Sequence, residues 1–249
     1  IDEERNRIYL FDSGGNAPET ILAIDMTNGN RTEVGQVNRS VNWETNSLVL
    51  DTERNVLYAL FPEEIAQVDI NSNTTEELTG GELGGEVDVT WLDNAVLDKA
   101  NNRILATDND RIIAIDLNTG FRSIFSSAAE NVGEGEAFGR IGDITMNALN
   151  THLYATGLVG DKPGLFEVSL TTGDRALVNN ICEGIPAYSD ITRYGDSYPH
   201  STMILSPQDN SLNIFGTAKF TINLKTNTCV ASQFTRGIDI VQTRLGQWF

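Results

Sequence analysis

The chain has 249 residues, of which 40% are hydrophobic, so it is long enough to fold around a sizeable core. Its 35 acidic residues against 17 basic ones give a net charge of −18, which repels phosphate backbones and anionic lipids and argues strongly against nucleic acid as a partner. No apolar run reaches the roughly 18 residues that a spanning helix needs, so membrane insertion is not expected.

The predicted elements are short strands that recur along the chain in pairs, each pair joined by a turn rich in Asp, Asn, Thr or Gly. One kind of pair occurs at 48–60 ("LVLDTERNVLYAL"), 95–107 ("AVLDKANNRILAT"), 144–156 ("ITMNALNTHLYAT") and 203–215 ("MILSPQDNSLNIF"). The other kind occurs at 21–34 ("ILAIDMTNGNRTEV"), 65–78 ("IAQVDINSNTTEEL"), 112–125 ("IIAIDLNTGFRSIF"), 165–178 ("LFEVSLTTGDRALV") and 219–232 ("KFTINLKTNTCVAS").

Two successive pairs make a unit of four short strands, the meander that forms one blade of a β-propeller. We call the turn inside the first pair of a unit its first turn and the turn inside the second pair its second turn. The residue before the second turn marks the register of the five units, at spacings of 44, 47, 53 and 54 residues. These register residues are Asp25, Asp69, Asp116, Ser169 and Asn223. Because the sequence contains no long stretch of 3.6-residue periodicity, helical solenoids are excluded.

The two ends of the sequence fit a closed ring of blades. Residues 1–11 ("IDEERNRIYLF") align with 50–60 ("LDTERNVLYAL"), and residues 238–249 are placed to supply the strand that the first unit lacks. We therefore predict an all-β, single-domain protein over residues 1–249, a five-bladed β-propeller of four-stranded antiparallel blades closed by the C-terminal strand. A blade missing at the N-terminus would make the number six.

The repeat resembles that of NHL-type and lactonase-like propellers. The resemblance lies in "VLD…NNRILATD…RIIAIDLNTG" within 95–120 and in "GEGEAFGRIGDITMN" at 133–147. It implies the propeller fold, and some relatives are calcium-dependent lactonases of the gluconolactonase type, whose metal site uses Glu, Asn and Asp on the inner strands. Trp43 and Trp91 stand near the place of that site, but no Glu-Gly-Pro stretch precedes either of them.

Ligands of propellers usually sit at the mouth of the central channel, which the first strand of each blade lines. Alignment of these strands gives the channel-mouth candidates Trp43, Glu44, Asn46, Trp91, Asp93, Asn94, Arg140, Asp143, His200, Asp239 and Arg244. The oxygen-bearing candidates suited to Ca²⁺ are Glu44, Asp93, Asn94 and Asp143. The alternatives are that these polar groups satisfy backbone groups in a water-filled channel and that the tryptophans pack between blades.

The long connection at 185–200 is the predicted partner-binding loop, because tyrosine and arginine are enriched at binding surfaces. Its candidate contact residues are Tyr188, Arg193, Tyr194 and Tyr198. The alternative is a loop that covers the junction between two blades. His200 is a candidate general base beside Asp190 or Asp196, with a solvated loop histidine as the alternative.

The sequence leaves the chemistry of the protein open. It contains no G-x-S-x-G, H-E-x-x-H or P-loop motif, and its two cysteines, Cys182 and Cys229, either form one disulfide or remain free thiols. The leading hypothesis is a non-catalytic binding or scaffolding module, exported by a bacterium to the periplasm or the extracellular space, with a protein, glycan or small-molecule ligand. The alternative is a calcium-dependent, lactonase-like hydrolase with its metal in the channel, so whether the protein is an enzyme stays undecided.

Overall fold

The structure of the protein is a computed structural model. It describes residues 1–12, 19–37, 47–62, 64–78, 87, 89–90, 92–147, 149–160, 162–178, 202–206, 210–215, 218–226 and 228–233. Within these residues the chain is all-β, apart from one short 3₁₀ turn at Lys99–Asn101. No helix of this part of the chain is long and apolar enough to cross a membrane.

In the described part of the chain, nineteen strands form five sheets, and in each sheet the strands are neighbours in the order of the sequence. The first sheet contains β1 (Arg7–Asp12), β2 (Glu19–Asp25) and β3 (Arg31–Val37). The second contains β4 (Ser47–Asp51), β5 (Val56–Leu60), β6 (Ile65–Asp69) and β7 (Thr74–Glu77). The third contains β8 (Ala95–Asp98), β9 (Arg103–Asp108), β10 (Arg111–Asp116) and β11 (Arg122–Ser126).

The remaining two sheets follow the same pattern. The fourth contains β12 (Ile141–Met146), β13 (His152–Val159), β14 (Lys162–Ser169) and β15 (Arg175–Leu177). The fifth contains β16 (Thr202–Ser206), β17 (Ser211–Phe215), β18 (Ala218–Asn223) and β19 (Thr228–Gln233). The five antiparallel meanders confirm the predicted repeat, whereas the predicted closing strand at 238–249 lies outside the described residues.

The second turn of each meander lies where the sequence predicted it, because Asp25, Asp69, Asp116, Ser169 and Asn223 each end a strand. In every case the side-chain oxygen accepts backbone N–H groups two or three residues further along, at 2.7 to 3.3 Å. These bonds close the turn locally, which is why short polar residues are favoured there.

The first turns use asparagine in a left-handed conformation. Asn6, Asn55 and Asn102 have φ angles of 55°, 60° and 51°, and each follows by four residues an aspartate whose carboxylate accepts a backbone N–H of the turn. Asparagine tolerates this backbone region better than other residues with a side chain. The motif D-x-x-x-N therefore specifies the turn from the sequence alone.

Chain contacts divide the protein into two compact units, one of Ile1–Asp108 with Ile113–Ser123 and one of Asn109–Ile112 with Ile124–Phe249. One hydrophobic cluster of the first unit lies where its first two sheets pack, around Ile21, Leu57 and Val68. In the second unit, Leu165, Leu212 and other buried residues form a cluster between the fourth and fifth sheets.

Neighbouring first turns of the first unit are also joined by side chains. The guanidinium of Arg5 donates to Asn55, and Arg54 Nη2 donates to Asn102 Oδ1 at 2.6 Å. The arginines before Asn6 and Asn55 thus each bind the equivalent asparagine of the next sheet.

Candidate functional site

The first strands, where the sequence places the channel-mouth residues, lie in pairs. In the first unit β4 lies beside β8, and in the second unit β12 lies beside β16. Of the eleven predicted channel-mouth residues, the structure describes Asp93, Asn94, Arg140 and Asp143.

Asp93 and Asn94 are half-buried just before β8, where they are bound to a single buried threonine. The backbone N–H of Asn94 donates to Thr107 Oγ1 at 3.1 Å, and the N–H of Thr107 donates to the Asn94 carbonyl at 2.9 Å. The N–H of Asp93 donates to the Thr107 carbonyl at 3.2 Å. These bonds fix the backbone of both candidates at the end of the sheet.

Asp143 occupies the equivalent position in the second unit, since its N–H donates to Thr156 Oγ1 at 3.0 Å. It is 8% exposed and lies at an irregularity in the pairing of β12 with β13. One carboxylate oxygen accepts the N–H of Ile144 at 2.8 Å, and the other accepts the N–H of Met203, the second residue of β16, at 2.5 Å. The carboxylate therefore joins the first strands of two sheets.

Arg140 is half-buried one residue before β12, and its carbonyl lies close to Gly157. No group of three or more His, Cys, Asp or Glu residues that could hold a metal occurs within the described residues. Of the predicted calcium ligands, Asp93 and Asn94 belong to one unit, Asp143 belongs to the other, and Glu44 lies outside the described part. The calcium site stays a prediction.

The other predicted site residues also fall outside the ranges that the structure describes. They are the channel-mouth residues Trp43, Asn46, Trp91, His200, Asp239 and Arg244, and the partner-loop residues Tyr188, Arg193, Tyr194 and Tyr198. Of the two cysteines, Cys229 in β19 is disulfide-bonded, and Cys182 is not among the described residues.

Sequence reasoning missed two buried arginines that hold polar backbone in place. Arg175, at the start of β15, is 5% exposed and donates to the carbonyls of Val132, Gly133 and Glu136 at 2.8 to 3.1 Å. Burial lowers the pKa of its guanidinium, which lies 5.4 Å from the ring centre of Phe138.

Arg122 occupies the equivalent position in β11 and donates to the carbonyls of Phe61 and Pro62. It is 1% exposed. The signal available in the sequence was an arginine two residues after the glycine of the second turn, in "NTGFR" and "TTGDR".

A cluster of titratable side chains lies on one face of the fourth sheet. Tyr154 Oη donates to Glu167 Oε1 at 3.3 Å, and His152 Nδ1 lies 3.9 Å from the same oxygen. Burial and the neighbouring carboxylate raise the pKa of Tyr154 to about 12. The phenol therefore stays protonated at neutral pH and acts as a donor.

A recess of about 350 Å³, here called the outer groove, lies between the outer strands β3 and β7 of the first unit. The described residues that line it are Glu33, Gly35, Gln36, Asn73 and Thr75. Gly35 forms part of the buried wall, and the four polar residues are exposed. The sequence signal for the outer groove was a glycine inside a strand, because such a glycine often marks the close approach of another segment.

Comparison with known proteins gives structural matches only. No protein-family model matches the chain, and no curated protein matches it in sequence. A nidogen/laminin complex contains a chain that matches with a TM-score of 0.63 at 12% identity, over 92% of this chain and 76% of that one.

TolB from Acinetobacter baumannii matches with a TM-score of 0.62 at 11% identity, over 94% of this chain and 53% of that one. An oligogalacturonate lyase in complex with manganese matches with a TM-score of 0.61 at 9% identity, over 92% of this chain and 62% of that one. The chain thus spans little more than half of TolB. At these identities the matches establish the fold, which is a β-propeller, and the five sheets are its blades.

Proposed function

We propose that the protein is a non-catalytic binding module, a propeller that presents its grooves and loops to a ligand or partner. The observation that supports this most directly is the engagement of Asp143. Both of its carboxylate oxygens accept backbone N–H groups, so this aspartate connects two first strands instead of standing free as an acid or base. A carboxylate used in this way favours a scaffold role.

The sequence and the disulfide support an exported protein, in the periplasm or the extracellular space of a bacterium. Cys229 is disulfide-bonded, and disulfides persist chiefly in oxidising compartments. The strong negative charge disfavours nucleic acid and leaves proteins, glycans and small molecules as ligands. The tyrosine-rich connection at 185–200 belongs to this proposal as a contact region.

The calcium-dependent hydrolase is the competing function, and a thermal melt separates the two. A cation that binds only the folded state raises Tm by mass action, so the melt is recorded in EDTA and again with excess calcium. We expect no change in Tm and no hydrolysis of a lactone such as gluconolactone.

A rise of several degrees that disappears in Asp93→Ala, together with calcium-dependent lactone hydrolysis, would overturn the binding-module proposal. Glu4→Ala is the matched control, because Glu4 is an exposed acid of the same unit that belongs to none of the candidate sites.

A further inference from the structure

The outer groove is built by close packing of two blades of the first unit. A Cβ atom placed on Gly35 would lie 2.6 Å from Val68 Cγ1 and 3.2 Å from Thr75 Oγ1, so β3 approaches the second sheet as closely as only glycine allows. Tight packing at Gly35 thus holds β3 beside the recess, whose volume lies within the range of about 300 to 1,000 Å³ that is usual for ligand sites.

The groove carries one negative charge and several hydrogen-bond acceptors, since amides and hydroxyls accept as well as donate. Glu33 supplies a carboxylate, Gln36 and Asn73 supply amides, and Thr75 supplies a hydroxyl. Among the described residues none of these four side chains has a hydrogen-bond or ion-pair partner of its own. Among the described residues, no basic and no large apolar side chain lines the recess, which disfavours anions and apolar ligands.

The surroundings of the groove strengthen its negative potential. Glu76 and Glu77 are exposed on β7, and the whole chain carries a net charge of −18. Arg31 is the one cation on β3, at the exposed start of the strand. The negative charge thus attracts a cationic ligand over long range, and the side-chain oxygens of the groove can accept its hydrogen bonds.

The strand beside the groove favours a peptide over a free small cation. Among the described strands, β7 is at the edge of the second sheet, and all four of its residues are exposed. A strand at a sheet edge can pair with an added strand through backbone hydrogen bonds, and alternate side chains of the added strand then point to one face. A peptide along β7 would project every second side chain on the face that carries Asn73 and Thr75.

We propose that the outer groove binds an arginine side chain of an extended basic segment of a partner protein, which pairs with β7. The guanidinium suits the site because it carries several donors in one plane and keeps its charge at every physiological pH. This inference rests on the proposed binding function and specifies its ligand class.

The test uses ¹⁵N-labelled protein titrated with the peptide acetyl-Thr-Arg-Thr-Arg-Thr-amide and followed by NMR. We expect shifts of the amide signals of Glu33, Gln36, Asn73 and Thr75, and binding that weakens as salt is raised. Glu33→Gln keeps the shape of the side chain and should weaken binding about fivefold, the effect of losing one partly exposed ion pair. Glu4→Gln makes the same charge change away from the groove and should leave binding unaltered.

Four results would overturn the proposal. The first two are binding of the Thr-Glu-Thr-Glu-Thr peptide, or of free arginine or spermidine, as tight as that of the arginine peptide. The other two are an unchanged affinity of Glu33→Gln for the arginine peptide and amide shifts confined to residues outside the groove. These outcomes concern the groove alone, whereas the binding-module proposal fails on calcium-dependent lactone hydrolysis, so the two failures are distinguishable.

Discussion

Replacing Arg175 by alanine tests the argument that a buried guanidinium holds a loop to the outer strand of the fourth sheet. The side chain makes four hydrogen bonds, to the carbonyls of Val132, Gly133 and Glu136 and to Ser126 Oγ. At about 1 kcal/mol net for each bond, their loss should destabilise the protein by about 4 kcal/mol. For a chain of this size that corresponds to a fall in Tm of roughly 10 °C.

Arg31 provides the matched control, because it stands six residues after Asp25 just as Arg175 stands six residues after Ser169. Arg31 is exposed, so Arg31→Ala should change the free energy of unfolding by less than about 0.5 kcal/mol. The assay is urea denaturation of both variants, read by circular dichroism. A loss below about 1 kcal/mol in Arg175→Ala, or equal losses in the two variants, would refute the reasoning.

Three further predictions concern stability. Gly35→Ala should cost about 1 to 3 kcal/mol in urea denaturation because the new methyl group meets Val68, and an unchanged midpoint would contradict the packing argument. Backbone hydrogen bonds, first that from Asn118, lower the pKa of Asp116, so its contribution to stability is present above its ordinary pKa of 3.8 and is lost as pH falls further. Between neutral pH and a pH of about 3, the free energy of unfolding measured by urea denaturation should therefore fall less for Asp116→Ala than for the wild-type protein. If the bridge closes the loop from Cys182, Cys229→Ser should lower the free energy of unfolding by about 4 kcal/mol. Cys182→Ser should lower it by the same amount. A Cys182→Ser variant as stable as the wild-type protein would exclude that pairing.

The repeat offers a reason for the position of the disulfide. Cys229 stands six residues after Asn223, so it has the strand position of Arg175. The sequence "NICEG" at 180–184 corresponds to "NVGEG" at 131–135, which aligns Cys182 with Gly133, a residue whose carbonyl accepts from Arg175. The correspondence predicts that a covalent bond in one repeat replaces a set of hydrogen bonds in the other.

The repeat, its register and the first and second turns of each meander could be predicted from local sequence patterns. Asp116 and Asn102 show why, since side-chain bonds to backbone two or three residues away and a tolerance for positive φ are properties of short segments. Such local signals can be read without knowing which segments meet in space.

The tertiary structure alone decided what the polar side chains do. The sequence placed Asp143 at a channel mouth, but only the approach of β16 brings the N–H of Met203 to its carboxylate. Likewise, the burial of Arg175 and the recess above Gly35 depend on contacts between segments about 30 to 50 residues apart in the chain. The local pattern does not decide such burial, because Arg31 also stands two residues after a turn glycine and is exposed. Blade packing therefore determines which of several similar acidic and basic residues are engaged and which remain available to a ligand.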